Sequence, residues 1–480
     1  MAEIEILLYV SFAIVLAATG TLIWRINQSR AVSIWAVLLL VNPLLTLLKG
    51  LTIVRCYTVG LGIWFSLKKI TIYLPYWVIL PLLIAAWSAL TIIWSPDKQI
   101  AISTTLDLLI VGVFLLATIS VGDKFKTASN MAKIASPIII FSSIATILFR
   151  FFPNFEATYF RSELAKILHG SQTIEKILRG TVEANVLLGD GMKSGGIFFT
   201  NANRASLFFG LVVITYLIVY ISEKRTYALI VALSSGAAIL STNSKTGIFL
   251  FLLFSVGVVI SSLFVLKLPS RKRAKYFSWL AFATGVFFLI LAKSNLIAMF
   301  LSASAETLKP RAYIWETAIN SIKQNLFLGL GQGGWKLAWT PVANRIQISE
   351  EYPPHNFMLE TWLSMGIVGA LLVLFFLVLC VTQLFIWLRQ SLTNSDRLIR
   401  ILAIVMWLWI VVHGLGDNTL YYGCLNCLPL VAITMMISSG NLDWLGSSKF
   451  SLTTRPIRFL VSRNRVQVHQ SSSYVRKEFS

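Results

Sequence analysis

Long apolar stretches alternate along the chain with short polar turns, and this rhythm sets the expected architecture. Twelve stretches read as membrane spans: 4–24, 31–49, 73–94, 102–121, 132–152, 205–222, 226–241, 246–266, 277–299, 365–388, 400–416 and 420–438. A helix of about 20 apolar residues crosses a hydrocarbon layer of roughly 30 Å. Residues 51–66 carry Arg55 within an apolar run and read as a re-entrant or interfacial piece. No repeat of 20–50 residues and no duplicated half is evident. The expected fold class is all-α integral membrane, with about twelve transmembrane helices.

Polar positions gather in two places. Residues 153–204 carry six Lys/Arg and five Asp/Glu, and residues 306–360 carry five of each. Loops of that length are functional or disordered. The second, bounded at 300–364, contains an amphipathic helix whose apolar stripe is Ile314, Trp315, Ala318, Ile319 and Ile322, with Glu316, Asn320 and Lys323 opposite. Pro310 suits the first turn of that helix. Farther on, Pro353 and Pro354 hold the chain extended, Asn356 is placed as a helix N-cap, and the helix continues through Gly366 into Ile367–Leu388. Asn356, Glu360 and Ser364 recur at i, i+4 and give that helix one polar face.

Composition confirms the membrane class. Of 480 residues, 56% are hydrophobic and 13% charged, with a mean hydropathy of +0.76. The net charge of +21 fits the positive-inside rule and anionic headgroups. No basic groove with interleaved aromatics points to nucleic acid. Lys267, Arg271, Lys272, Arg273 and Lys275 share one loop, and Arg389, Arg397 and Arg400 another. Seven more Lys/Arg follow Gly440. These segments are expected on the cytoplasmic side together with both termini. The chain thus divides into a transmembrane domain, 1–440, and a basic cytoplasmic tail, 441–480, with both long loops on the opposite face. Ile4–Trp24 lacks a basic leading region and reads as a first span, not a cleaved signal.

Candidate chemistry is sparse. Cys424 and Cys427 have C-x-x-C spacing, but one pair cannot complete a zinc site, and all four cysteines read as small buried residues. Gly329-Leu-Gly331-Gln-Gly333-Gly334 follows a helix, not the strand a dinucleotide site requires, and reads as a flexible turn. Lys245, in Ser241–Gly247, reads either as a snorkelling end-of-helix lysine or as a cation aimed at a phosphate beside Ser244 and Thr246. Arg311, placed at a helix start where a cation is slightly unfavourable, has the planar fork suited to phosphate. His355 is either an interfacial histidine or a base, set outside a helix's positive end where the neutral imidazole is favoured. His413 and Asp417 lie at i, i+4 near a span end and form a candidate proton relay, whereas Asp107 is equally a structural acid. His169 and His469 are rivals to His355. No metal-ligand cluster and no nucleophile elbow is present, so no cofactor is expected.

The chain resembles the O-antigen ligases and polymerases, membrane glycosyltransferases that use lipid-linked sugars. The matching pieces are Trp94-Ser-Pro-Asp97, Asn243-Ser-Lys245, Arg311-x-x-x-Trp315 with Gly329-Leu-Gly331, and Pro354-His355-Asn356 with Gly366-x-x-Gly369. They extend from about residue 70 to 440. The resemblance implies about twelve spans, cytoplasmic termini and a large periplasmic loop closing over the site, as in C-type glycosyltransferases. It also implies an undecaprenyl-diphosphate-linked glycan donor in the bacterial inner membrane. The family's serine-proximal arginine is Lys245 here, which keeps the charge but loses the fork. Its second arginine corresponds to Arg311 and its histidine to His355.

The expected activity is therefore metal-independent, inverting transfer of a glycan to a lipid A-core or other sugar acceptor. His355 is the expected catalytic base, with Arg311 and Lys245 on the diphosphate and Asn356, Glu360, His413 and Asp417 as auxiliaries. A polymerase of the same family differs only in using a lipid-linked acceptor. A membrane transporter of solute or lipid-linked glycan is the competing class, since it shares the many spans.

Overall fold

The structure, a computed structural model, describes residues 27–42, 46–48, 51–67, 71–179, 193–265, 296–350, 352–418, 425–440, 442 and 448–451. The chain opens with α1 (Gln28–Val41), α2 (Ile53–Leu67), α3 (Tyr76–Thr91), α4 (Lys98–Ile119) and α5 (Lys124–Phe151). Three short helices follow in the first polar loop: α6 (Pro153–Phe160), α7 (Glu163–His169) and α8 (Ser171–Leu178). Next come α9 (Ala202–Glu223), α10 (Thr226–Thr242) and α11 (Lys245–Val265), then α12 (Leu296–Gln324) and α13 (Gly334–Ile346) of the second polar segment. The bundle closes with α14 (Phe357–Arg389), α15 (Asn394–Gly416) and α16 (Leu428–Ser439).

Among the described residues α4, α5, α9, α14 and α15 are long and apolar enough to cross a membrane, and α1, α3, α10, α11 and α16 supply shorter apolar pieces. The expected span 4–24 lies outside the described residues, as does 277–295 of the span expected at 277–299. Most of the 441–480 tail does too. The apolar pattern has an apolar destination on both sides. Trp35, Phe114, Tyr216 and Trp387 are fully buried, while Phe141, Leu233, Phe249 and Val378 are more than half exposed on the bundle surface. An apolar exterior of that kind fits lipid rather than water. Buried hydroxyls such as Ser136, Thr146 and Thr361 donate to the carbonyl four residues back, which satisfies them without water.

Helix starts follow the cap chemistry. Asp97 and Asp123 accept from backbone N–H groups in the first turns of α4 and α5, each at 2.9 Å. Thr393 and Asp396 form a reciprocal capping box on α15. The all-α expectation is modified by four short strands. β1 (Thr46–Leu48) pairs with β2 (Leu51–Thr52), and β3 (Thr71–Leu74) with β4 (Ser448–Ser451) of the tail, both antiparallel.

Three local expectations are corrected. Pro310 does not begin a helix; α12 runs through it from Leu296, so Arg311 is interior and the dipole argument for it fails. The stripe of that helix is otherwise as expected, with Ile314, Ala318 and Ile322 buried, but Ile319 is 45% exposed. The helix from Phe357 does not pass smoothly through Gly366, whose φ of 65° and ψ of −170° break it. The break and the glycine-rich turn explain each other. Leu330 N donates to Leu363 O (2.6 Å) and Ile367 N to Leu326 O (3.0 Å), so the turn is hydrogen-bonded into the kink and is not a loose return. A Cβ on Gly366 would run into the Phe327 carbonyl, and one on Gly329 would sit 2.6 Å from Gly366 N.

Candidate active site

The segment before α14 is held from one side by three indoles. Trp315 Nε1 donates to Pro354 O (3.0 Å), Trp335 Nε1 to Tyr352 O (2.7 Å) and Trp339 Nε1 to Ser349 O (3.1 Å). Asn356 caps α14 as expected, accepting from Met358 N and Leu359 N at 2.9 and 3.1 Å. Between these restraints His355 adopts φ 50°, a left-handed conformation uncommon for a non-glycine residue. Such an outlier persists only where its surroundings over-determine it, and it points to function.

His355 Nδ1 lies 3.4 Å from Asp417 Oδ1. Asp417 follows the last residue of α15 and is 5% exposed. Its Oδ1 also accepts from Asn418 N (2.8 Å). Asn418 then ties α14 down twice: its Oδ1 accepts from Asn356 N (2.8 Å), and its Nδ2 donates to Glu360 Oε2 (3.1 Å). Burial pushes the Asp417 carboxyl up, but the His355 hydrogen bond and charge, with His413 and Arg204, outweigh it and hold it well below the usual carboxylate range.

Close helix approach brings further groups to this end of the bundle. A Cβ on Gly414 of α15 would lie 2.7 Å from the Phe357 ring, and one on Gly247 of α11 would collide with Ser206 of α9. Ser244 Oγ, just before α11, donates to Asn203 Oδ1 (2.7 Å) in the first turn of α9. Thr246 lies against Gly416. The N-termini of α9, α11 and α14 therefore meet the C-terminus of α15. Lys245 is the first residue of α11, half-buried, where a cation opposes the helix dipole. Arg311 is half-buried too, and its charge and that of Asp417 act on each other.

Neither the Arg204 nor the Arg311 guanidinium makes a hydrogen bond among the described residues. Both interact with Asp417 through charge alone, and an anionic ligand would supply the hydrogen-bond acceptors that the two guanidiniums lack. The expected His413–Asp417 relay is not formed as a hydrogen-bonded pair. His413 is fully buried with Nε2 3.3 Å from Ser206 Oγ, and Asp417 turns to His355 instead. Asp107 is structural: it forms an ion pair with Arg55 at 3.0 Å. His169 is also tied into the fold, by Tyr159 and Ile197 O. Sequence reading missed Arg204 and Asn418. Arg204 sits in Asn201-Ala-Asn203-Arg204, where a capping asparagine followed by a first-turn cation was the available signal.

Residues 192–374 match the family model described as Wzy_C, O-antigen ligase. Over those residues the chain is similar to the O-antigen ligase family. The matched segment holds Arg204, Lys245, Arg311 and His355, while the partner Asp417 lies beyond it. No curated protein matches the chain. The match, together with five helices among the described residues that are long and apolar enough to cross a membrane, fits a multi-pass membrane protein similar to the O-antigen ligases.

Proposed function

We propose that this chain is an O-antigen ligase-type glycosyltransferase of the bacterial inner membrane. It moves a glycan from undecaprenyl diphosphate to a lipid A-core sugar at the periplasmic face. The observation that carries the reading is the meeting of the Asp417–His355 pair with two guanidiniums, Arg204 and Arg311, that lack hydrogen bonds among the described residues. A transporter has no need of an oriented base beside clustered cations at one end of the bundle.

The acceptor hydroxyl oxygen attacks the anomeric carbon of the donor, and its proton passes to His355 Nε2. The bond from that carbon to the diphosphate breaks, and its electron pair leaves on the phosphate oxygen. With Nδ1–H directed at Asp417, Nε2 carries the free lone pair and the ring is fixed in the tautomer a base requires. The 3.4 Å separation is long for such a bond, as catalytic hydrogen bonds often are before substrate arrives. Lys245, Arg311 and Arg204, aided by the positive ends of α9, α11 and α14, stabilise charge on the leaving diphosphate. A diphosphate is already a good leaving group, so no general acid or metal is required by the chemistry. Displacement in one step inverts the anomeric centre.

The direct test is incubation of purified protein with a lipid-linked oligosaccharide and candidate acceptors. Glycan joined to lipid A-core supports the ligase. A ladder of longer lipid-linked chains identifies the polymerase instead. Solute uptake by proteoliposomes without either product replaces both with a transporter.

A further inference from the structure

A cavity of about 230 Å³ lies beside the site, beneath the short helices of the first polar loop. Its wall combines the ends of α1, α2 and α9 with α4, α7 and α8. Arg204 belongs to both places: it lines the cavity, and its charge acts on Asp417. Arg55 and Asp107 form a fixed ion pair in the wall, with Arg55 also donating to Ser103 O and Oγ. Asn42, Thr173 and Thr200 add hydroxyls and an amide, and Phe198 and Phe199 supply an aromatic side.

The histidine of this wall is set as a hydrogen-bond acceptor. His169 Nε2 lies 2.9 Å from Ile197 O and 3.0 Å from Tyr159 Oη, whose own O–H donates to Ile197 O (2.6 Å). An N–H at Nε2 suits these two oxygens, which leaves the lone pair on Nδ1. Nδ1 has no hydrogen-bond partner among the described residues. Burial pushes the His169 imidazole down to about 4, so it stays neutral near pH 7. A wall of donors and acceptors facing an aromatic patch suits a polyhydroxylated ring with apolar C–H faces. It does not suit a prenyl chain, which needs an apolar lining, or a cation, which two arginines repel. The volume is below the roughly 300–1,000 Å³ of a site for a drug-sized ligand, so it takes one sugar unit and not an oligosaccharide.

We propose that this cavity is the subsite for one sugar unit of the reacting glycans, with Arg204 joining it to the diphosphate site. The assignment rests on the glycosyltransferase reading and adds where a sugar is held. Two sources share the chemistry: the first sugar of the donor and the terminal sugar of the acceptor.

Thr173→Cys, a near-isosteric change on α8, places a thiol at the cavity wall, and its alkylation by a maleimide is timed in purified full-length protein. Wild-type protein gives the background from the native cysteines. Three probes are compared: undecaprenyl diphosphate alone, undecaprenyl-diphosphate-linked N-acetylglucosamine, and lipid A-core without O-antigen. Alkylation is expected to slow several-fold with one of the sugar-bearing probes and to be unchanged with bare undecaprenyl diphosphate. Slowing by the sugar-linked donor assigns the subsite to the donor, and slowing by lipid A-core assigns it to the acceptor. No slowing by either, or equal slowing by bare undecaprenyl diphosphate, overturns the subsite. Binding of bare undecaprenyl diphosphate to wild type and Lys245→Ala is measured separately. Equal binding to both counts against the diphosphate reading, whatever the thiol reports.

Discussion

His355 Nδ1 faces Asp417 Oδ1 at 3.4 Å, joining residues 62 positions apart at the ends of α14 and α15. The carboxylate fixes which ring nitrogen faces substrate, so Asp417 acts through His355. Asp417→Asn keeps the shape but presents an amide that can donate to Nδ1 and favour the wrong tautomer. Turnover is expected to fall by roughly 10²-fold or more, with donor binding near wild type. Initial rates and donor affinity of the purified variant check this; unchanged turnover removes Asp417 from the mechanism.

The cations have a different signature. Arg311→Ala removes the proposed charge-assisted hydrogen bond to the donor diphosphate, worth about 1.5–3 kcal/mol, so donor affinity and rate should both fall, by about ten- to a hundredfold. Lys245→Ala should behave alike. Lys245→Arg should retain activity, since it supplies the same charge with a bidentate fork. Donor titrations and initial rates separate these outcomes.

Acid should weaken the first polar loop through His169. Its folded pKa is lowered to about 4 by burial, against 6.5 when free. Between those values the unfolded chain binds a proton that the folded one does not, so stability rises with pH in that window. Stability should be full above about pH 6.5 and decline toward about pH 4, by roughly 3 kcal/mol in all. Melting temperatures in detergent across that range, for wild type and His169→Gln, should show the dependence shrinking in the variant.

Gly366→Ala places a methyl against the Phe327 carbonyl at a backbone angle of +65°. The kink that holds the glycine-rich turn must then shift, with an expected loss of about 1–3 kcal/mol. Thermal unfolding of the variant checks it; an unchanged melting temperature means that the kink relaxes freely.

Local pattern made much of this legible. The apolar runs at 102–121, 132–152, 205–222 and 400–416 became α4, α5, α9 and α15, because period and length are properties of the segment itself. Asn356 as a cap and the buried stripe of Ile314, Ala318 and Ile322 followed for the same reason. Long-range choices did not. Pro310 looked like a helix start because helix preceding it carries no local mark, and the break at Gly366 depends on Phe327 and Leu330 arriving from another segment. His413 and Asp417 had the spacing of a pair, but Asp417 lies after the helix and turns to His355. Arg204 was invisible as a site residue until α9 was placed against α15.

The central assignment is His355 as the base. General-base catalysis contributes typically about 10²–10⁴-fold, so His355→Ala should lower turnover by that factor while binding of undecaprenyl-diphosphate-linked donor stays close to wild type. The deciding measurement is the initial rate of glycan transfer by this variant beside its donor affinity. Collapse of the rate at unchanged affinity is the expected result. Normal turnover by His355→Ala contradicts the mechanism.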